Sequence, residues 1–163
     1  MRIRTRLVVL TAAAAAVVLM LGSDSAVAQS KDPLLGNWKL DVSKSTFPAA
    51  APARRTMMFA AVPNGITQTI TTTTSGNAEV TYDLVYTAKF DGKDYPADAA
   101  SAFNTVAVKR LDAHSVERIG KAKGQVVETE TYTVSPDGRM LTVKQEGENN
   151  GVQFKTSQVF QRE

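Results

Sequence analysis

Four charged side chains stand where alternation would place apolar ones, and their types and spacing could do chemistry. Arg110 alternates with Val106 and Val108, and Arg118 alternates with Val116. Further on, Glu128 and Glu130 fall in phase with Val126, Tyr132 and Val134. If these faces point inward, opposite charges meet in the interior, where an unpaired charge is very costly and demands a partner or a polar ligand. In one reading Arg110 and Arg118 orient the polar head of an amphipathic ligand beside Glu128 and Glu130. Tyr82, Tyr86, Tyr132 and Phe154 then line its apolar part. In the other, the charges form an internal Arg–Glu network, or the faces are solvated, or the register is opposite. A slip of one residue reverses every such assignment.

Catalytic and metal chemistry find less support. His114, the one histidine, stands in a turn between Asp112 and Ser115. Residues so close in sequence do not converge into a triad by adjacency. One His and no Cys make a transition-metal centre improbable. Asp91-Gly92 and Asp137-Gly138 lack the further carboxylates of a calcium loop and read as hairpin turns. The glycines are isolated rather than grouped into a phosphate cradle. No group has an evident acid, base or nucleophile role. The expectation is a protein that is not an enzyme and holds no cofactor.

The elements that must position these residues are strands. From Gly36 onward, alternating segments are separated by turn residues, with no helical period. Trp38, Leu40 and Val42 alternate with Lys39 and Asp41 in a first strand. Residues 43–53, with Pro48 and Pro52, read as the long connection. Strands follow over 54–62 and 66–74, joined by Pro63-Asn64-Gly65, whose Asn-Gly pair supplies positive φ. A long strand over 79–90 puts Val80, Tyr82, Leu84, Tyr86, Ala88 and Phe90 on one face. A short Tyr95-Pro96 segment and a loop over 97–104 come next. Strands near 105–111, 115–120, 125–134, 139–146 and 152–162 complete about ten. The simplest topology is a single all-β, up-and-down antiparallel barrel of about 8–10 strands, whose closure removes exposed edges.

The first 28 residues read as a secretory signal peptide. Arg2, Arg4 and Arg6 precede an apolar run over 7–21, and Ala26-Val27-Ala28 is a small-residue cleavage site. The run is shorter than the ~20 residues of a spanning helix, and without cysteine the signal is not of the lipidated kind. The expected organisation is a signal over 1–28, a lead-in over 29–35 and one barrel over 36–163, periplasmic or secreted. Taking three arginines and Asp24 from the net charge of +3 leaves the mature chain near neutral. That excludes the electrostatic footprint of a nucleic-acid binder. A cysteine-free exported domain of this size must be stable through burial and hydrogen-bonded closure.

The segment Gly36-Asn37-Trp38 resembles the Gly-x-Trp opening of lipocalin-like barrels. Asp91-Gly92-Lys93-Asp94-Tyr95-Pro96 looks like a turn of small exported bacterial proteins of this calycin-type kind. The resemblance implies that Trp38 closes one barrel end beneath a basic residue of the last strand, here Arg162, through a cation–π contact. It also implies non-covalent binding of a small hydrophobic or amphipathic molecule by a monomer that does not span the membrane. The competing expectation is a cell-envelope interaction or structural module with a filled core, whose exposed apolar residues cluster at a barrel mouth around 97–103.

Overall fold

The computed structural model describes residues 32–47, 50–73, 80–99, 103–149 and 151–163, without side-chain placement at 80–83, 99 and 149. The expected signal peptide, Pro48, the turn at 75–77 and the side chain of Tyr82 therefore lie outside the described residues.

Ten strands form the domain: β1 (Gly36–Thr46), β2 (Arg54–Val62), β3 (Gly65–Thr73), β4 (Val80–Lys89), β5 (Asp91–Ala99), β6 (Thr105–Arg110), β7 (Ser115–Ala122), β8 (Gln125–Val134), β9 (Met140–Asn149) and β10 (Val152–Arg162). Each pairs antiparallel with its chain neighbours, and β1 pairs with β10 to close the barrel. The all-β, up-and-down barrel expected from alternation is the observed architecture. Among the described residues, closure gives every strand a paired neighbour on both sides.

Three segments differ from the sequence expectation. β1 runs on to Thr46, because its register with β10 shifts between Asp41 and Thr46 and lets pairing resume at Ser157. Residues 97–99 belong to β5 rather than to a loop, paired with Leu84 to Tyr86 of β4. Pro96 is exposed there opposite Thr105, a site where a strand tolerates its missing N–H. At the β2–β3 hairpin, Asn64 alone takes the positive φ, 59°. Gly65 is needed for a different reason: a Cβ on it would stand 2.1 Å from the Ala88 carbonyl oxygen.

Alternation divides the interior along the barrel axis. Toward the end where β1 begins and β10 finishes, it is filled by Trp38, Phe59, Ile66, Val106, Val108, Val116, Leu141 and Phe160, all at most 2 % exposed. Burying side chains of this size stabilises by roughly 1.5–3 kcal/mol each. Toward the other end the inward positions turn polar: Gln68, Thr72, Arg118, Glu130, Thr156 and Gln158 are all buried. Tyr132 lies at the boundary, edge-on to Phe59 with ring centroids 5.6 Å apart.

Candidate functional site

The apolar end is plugged. Gly36 opens β1 with φ 115°, and Trp38, fully buried, donates its Nε1–H to the Leu34 carbonyl at 2.9 Å. The Arg162 guanidinium lies over the indole, 4.2 Å from its centroid. It also donates to the carbonyls of Pro33, Leu35 and Gly138 at 2.5, 2.7 and 2.7 Å. The lead-in is thereby tied across the barrel end. Arg110 is at this end too, where β6 finishes. It pairs with Asp32 and stands 4.2 Å above the Phe90 ring. The structure therefore does not bring Arg110 to Arg118, because Arg110 lies one step past the wall, where Asp32 reaches it.

The polar half holds a cavity of about 260 Å³. Its apolar wall is Met57 of β2, Ile70 of β3, Leu84 of β4 and Phe103 before β6; its polar wall is Arg55, Arg118, Glu128, Glu130, Gln145 and Gln158. Arg118, 1 % exposed, organises the polar wall. Its Nε donates to Glu130 Oε2 and to Tyr132 Oη, both at 3.1 Å. Its Nη2 pairs with Glu130 at 2.7 Å and also with Glu128. Tyr132 donates its O–H to Glu130 and accepts from Gln68 Nε2 at 3.2 Å. Gln145 donates to Glu128 at 2.6 Å and accepts from Thr156 at 3.3 Å. Across the cavity Arg55 donates to Thr72 and Gln158, each at 3.0 Å. The guanidinium carbon of Arg118 is 5.1 Å from the Phe103 ring centroid, a second cation–π contact.

Burial dominates the protonation of this network. It opposes the charge on Arg118, but the neighbouring acids, Glu130 foremost, outweigh it and hold the guanidinium well above its usual pKa. Burial and then the charge of Glu130 push the Glu128 carboxyl up, against the pull of Arg118. The phenols of Tyr132 and Tyr86 are likewise pushed up by burial.

Of the residues expected to bind a ligand, Arg118, Glu128 and Glu130 line the cavity, and Tyr86 and Tyr132 are buried beside Arg118. The interior Arg–Glu network and the cavity coexist, so the two sequence readings were not exclusive. Phe154 is half-buried outside the lining, its ring against Gly147 near the β9–β10 end. Val126, in phase with the glutamates, is 58 % exposed at the rim. Sequence reasoning missed Arg55, Gln145 and Gln158, whose polar types read as outward positions. The available signal was phase: Arg55 alternates with Met57 and Phe59, Gln145 with Leu141 and Val143, Gln158 with Phe160. His114 is exposed in the β6–β7 turn, its backbone N–H 2.7 Å from Asp112 Oδ1.

No protein-family model matches the sequence, and no curated protein does. Solved structures do. The REP1-NXSQ fatty acid transporter matches with a TM-score of 0.51 at 10 % identity, over 80 % of this chain and 96 % of that one. Rv2717c from M. tuberculosis gives 0.54 at 16 % identity, over 83 % and 96 %. This chain has the calycin-type barrel fold. As-p18, an extracellular fatty acid binding protein, shares it with a TM-score of 0.52 at 14 % identity, over 81 % and 97 %. At such identities the likeness is one of fold, and function must be argued from the cavity.

Proposed function

We propose that this protein is exported from the cytoplasm and reversibly binds a small amphipathic molecule inside its barrel, without covalent chemistry. The observation that carries this reading is a cavity of about 260 Å³ with an apolar wall opposite a hydrogen-bonding one. Sites for small molecules occupy roughly 300–1,000 Å³ and combine apolar lining with a few placed polar groups. The volume here, about 260 Å³, falls just below that range, which favours a small ligand with a short chain. The fatty acid transporter and the fatty acid binding protein that share the fold support a ligand with an apolar body. Export rests on Arg2, Arg4 and Arg6, the apolar run and Ala26-Val27-Ala28.

Native mass spectrometry of the mature protein, purified from its own cell envelope or medium, tests the whole reading. It should find a chain starting near Gln29 carrying one small molecule. Leu84→Trp, which fills the cavity from its apolar wall, should lose that adduct while keeping the β-sheet circular dichroism spectrum. A wild-type protein that retains its first 28 residues sinks export. One that carries no adduct and takes up neither an alkyl amide nor an alkanoate sinks binding.

A further inference from the structure

The depth of each wall residue shows how polarity is arranged inside the cavity. Gln68 of β3 donates from Nε2 to Tyr132 Oη of β8 across the interior, at 3.2 Å, so these two side chains share one depth and span the barrel beneath the cavity. One inward step toward the polar end are Ile70 on β3 and Glu130 on β8. Strand pairing sets Met57 and Leu84 beside Ile70, and Arg118 and Gln145 beside Glu130. At this level three contiguous apolar residues face three contiguous polar ones. One step further the inward positions are polar on both sides, Arg55 and Thr72 on β2 and β3 and Glu128 on β8. Polarity therefore changes across the cavity and not along it. A tail lying along the axis is stopped below by the Gln68–Tyr132 contact and meets Arg55 and Glu128 above, where burying polar groups against carbon is costly.

We infer that the ligand carries its polar groups along one side of a short carbon body, as two or more hydroxyls flanked by carbon, rather than as a single head at the end of a tail. The inference rests on the ligand-pocket reading. The carbon side packs on Met57, Ile70, Leu84 and Phe103, and the hydroxyls meet the opposite wall. Hydroxyls suit that wall because it keeps both an acceptor and a donor uncommitted. Glu130, 5 % exposed, uses Oε2 for Arg118 and Tyr132, and its Oε1 accepts no hydrogen bond among the described residues. Gln158, 4 % exposed, must turn its Oε1 to Arg55, since a guanidinium only donates. Its Nε2 then donates to nothing among the described residues. Both residues line the cavity, and neither atom is sealed off as Arg118 Nη1 and the Tyr86 hydroxyl are. A hydroxyl donates and accepts at once, so neighbouring hydroxyls can serve Glu130 of β8 and Gln158 of β10 together.

Isothermal titration of the wild-type protein with two isomers, 4,5-octanediol and 1,2-octanediol, isolates the position of the hydroxyls, because the carbon count and the polar groups are the same. The 4,5 isomer should bind about three- to tenfold more tightly, the worth of one hydrogen bond. Gln158→Leu, with its β-sheet circular dichroism spectrum retained, should weaken the 4,5 isomer and narrow the preference. Equal binding of the isomers, or a preference for 1,2-octanediol, overturns the lateral arrangement while leaving the pocket standing. So does uptake of octanamide or octanoate without either diol. A preference undiminished in folded Gln158→Leu overturns the role given to Gln158, and if that variant does not fold, the wild-type comparison alone decides. Failure of the diols, octanamide and octanoate alike to bind the folded wild type overturns the pocket and the lateral arrangement together.

Discussion

Arg162 and Arg118 are at opposite ends of the same barrel interior, and they are held by opposite means. Arg162 is exposed and is satisfied by an indole face and three neutral carbonyls. Water still solvates its charge, so dipoles are enough. Arg118 is 1 % exposed and is surrounded by carboxylates, a phenol and an aromatic ring. Removed from water, a guanidinium requires full counter-charge, and the counter-charges must themselves be bonded. One end is therefore a seal that tolerates approximate partners. The other is a polar network in which each member depends on the rest.

Removing the cation should separate the two regions most sharply. Arg118→Met leaves Glu128 and Glu130 in the interior without their partner and should cost about 3–5 kcal/mol in urea denaturation. Replacing the whole set, Arg118→Met with Glu130→Leu and Glu128→Gln, should recover most of that loss, because the penalty lies in unpaired charge and not in lost attraction. If the single variant is as stable as the wild type, the contrast between the ends is wrong. At the seal, Trp38→Phe keeps a ring beneath Arg162 but orphans the buried Leu34 carbonyl. A loss of about 1–3 kcal/mol is expected. Arg162→Gln removes the exposed cation from above the indole and should cost only about 1 kcal/mol. A loss matching that of Arg118→Met would show that exposure does not set the difference.

The same contrast explains what the sequence disclosed. The fold was legible because alternation and turn chemistry agree from Gly36 onward: Asn64, Gly124 and Gly138 turn where their types allow positive φ. The inward face of β8 was legible because Glu128 and Glu130 share the phase of Tyr132 and Val134, all four inside. Arg110 and Arg118 were not distinguishable, since each alternates with valines. What separates them is axial position: Arg118 is mid-strand, and Arg110 is the last residue of β6, reachable by Asp32 from far away in the chain. Arg55 and Gln158 were illegible for a related reason. A polar residue inside a barrel is stabilised by partners on other strands, here Thr72 of the adjacent β3 for Arg55, and Arg55 and Gln158 for each other. Phase could have flagged them, but only closure brings Gln158 of β10 to Arg55 of β2.

The smallest effects, and the most diagnostic of environment, are in pH dependence, where two carboxyls of the same barrel should act with opposite sign. Glu128 in the polar interior holds its proton more tightly folded than unfolded, because burial and the Glu130 charge raise it above the ordinary 4.5. The folded state then binds more protons just above that value, so this group's contribution to stability falls as pH rises through its folded pKa. Glu128→Gln should remove that decline, and its stability relative to the wild type should improve with rising pH over that window. Asp41, at the register shift of β1, is a half-buried counterpart on the barrel's outer side, surrounded by hydrogen-bond donors instead of a second carboxylate. Hydrogen bonds from Ser43 first, then Lys44 and Gln161, lower it from 3.8 to about 2. Its contribution is present above pH 3.8 and lost as pH falls toward 2. Asp41→Asn should therefore show a small deficit near neutrality that closes on acidification over that interval. Thermal melts across both windows check the two signs, and a Glu128→Gln profile parallel to that of Asp41→Asn would mean the interior glutamate is solvated rather than buried.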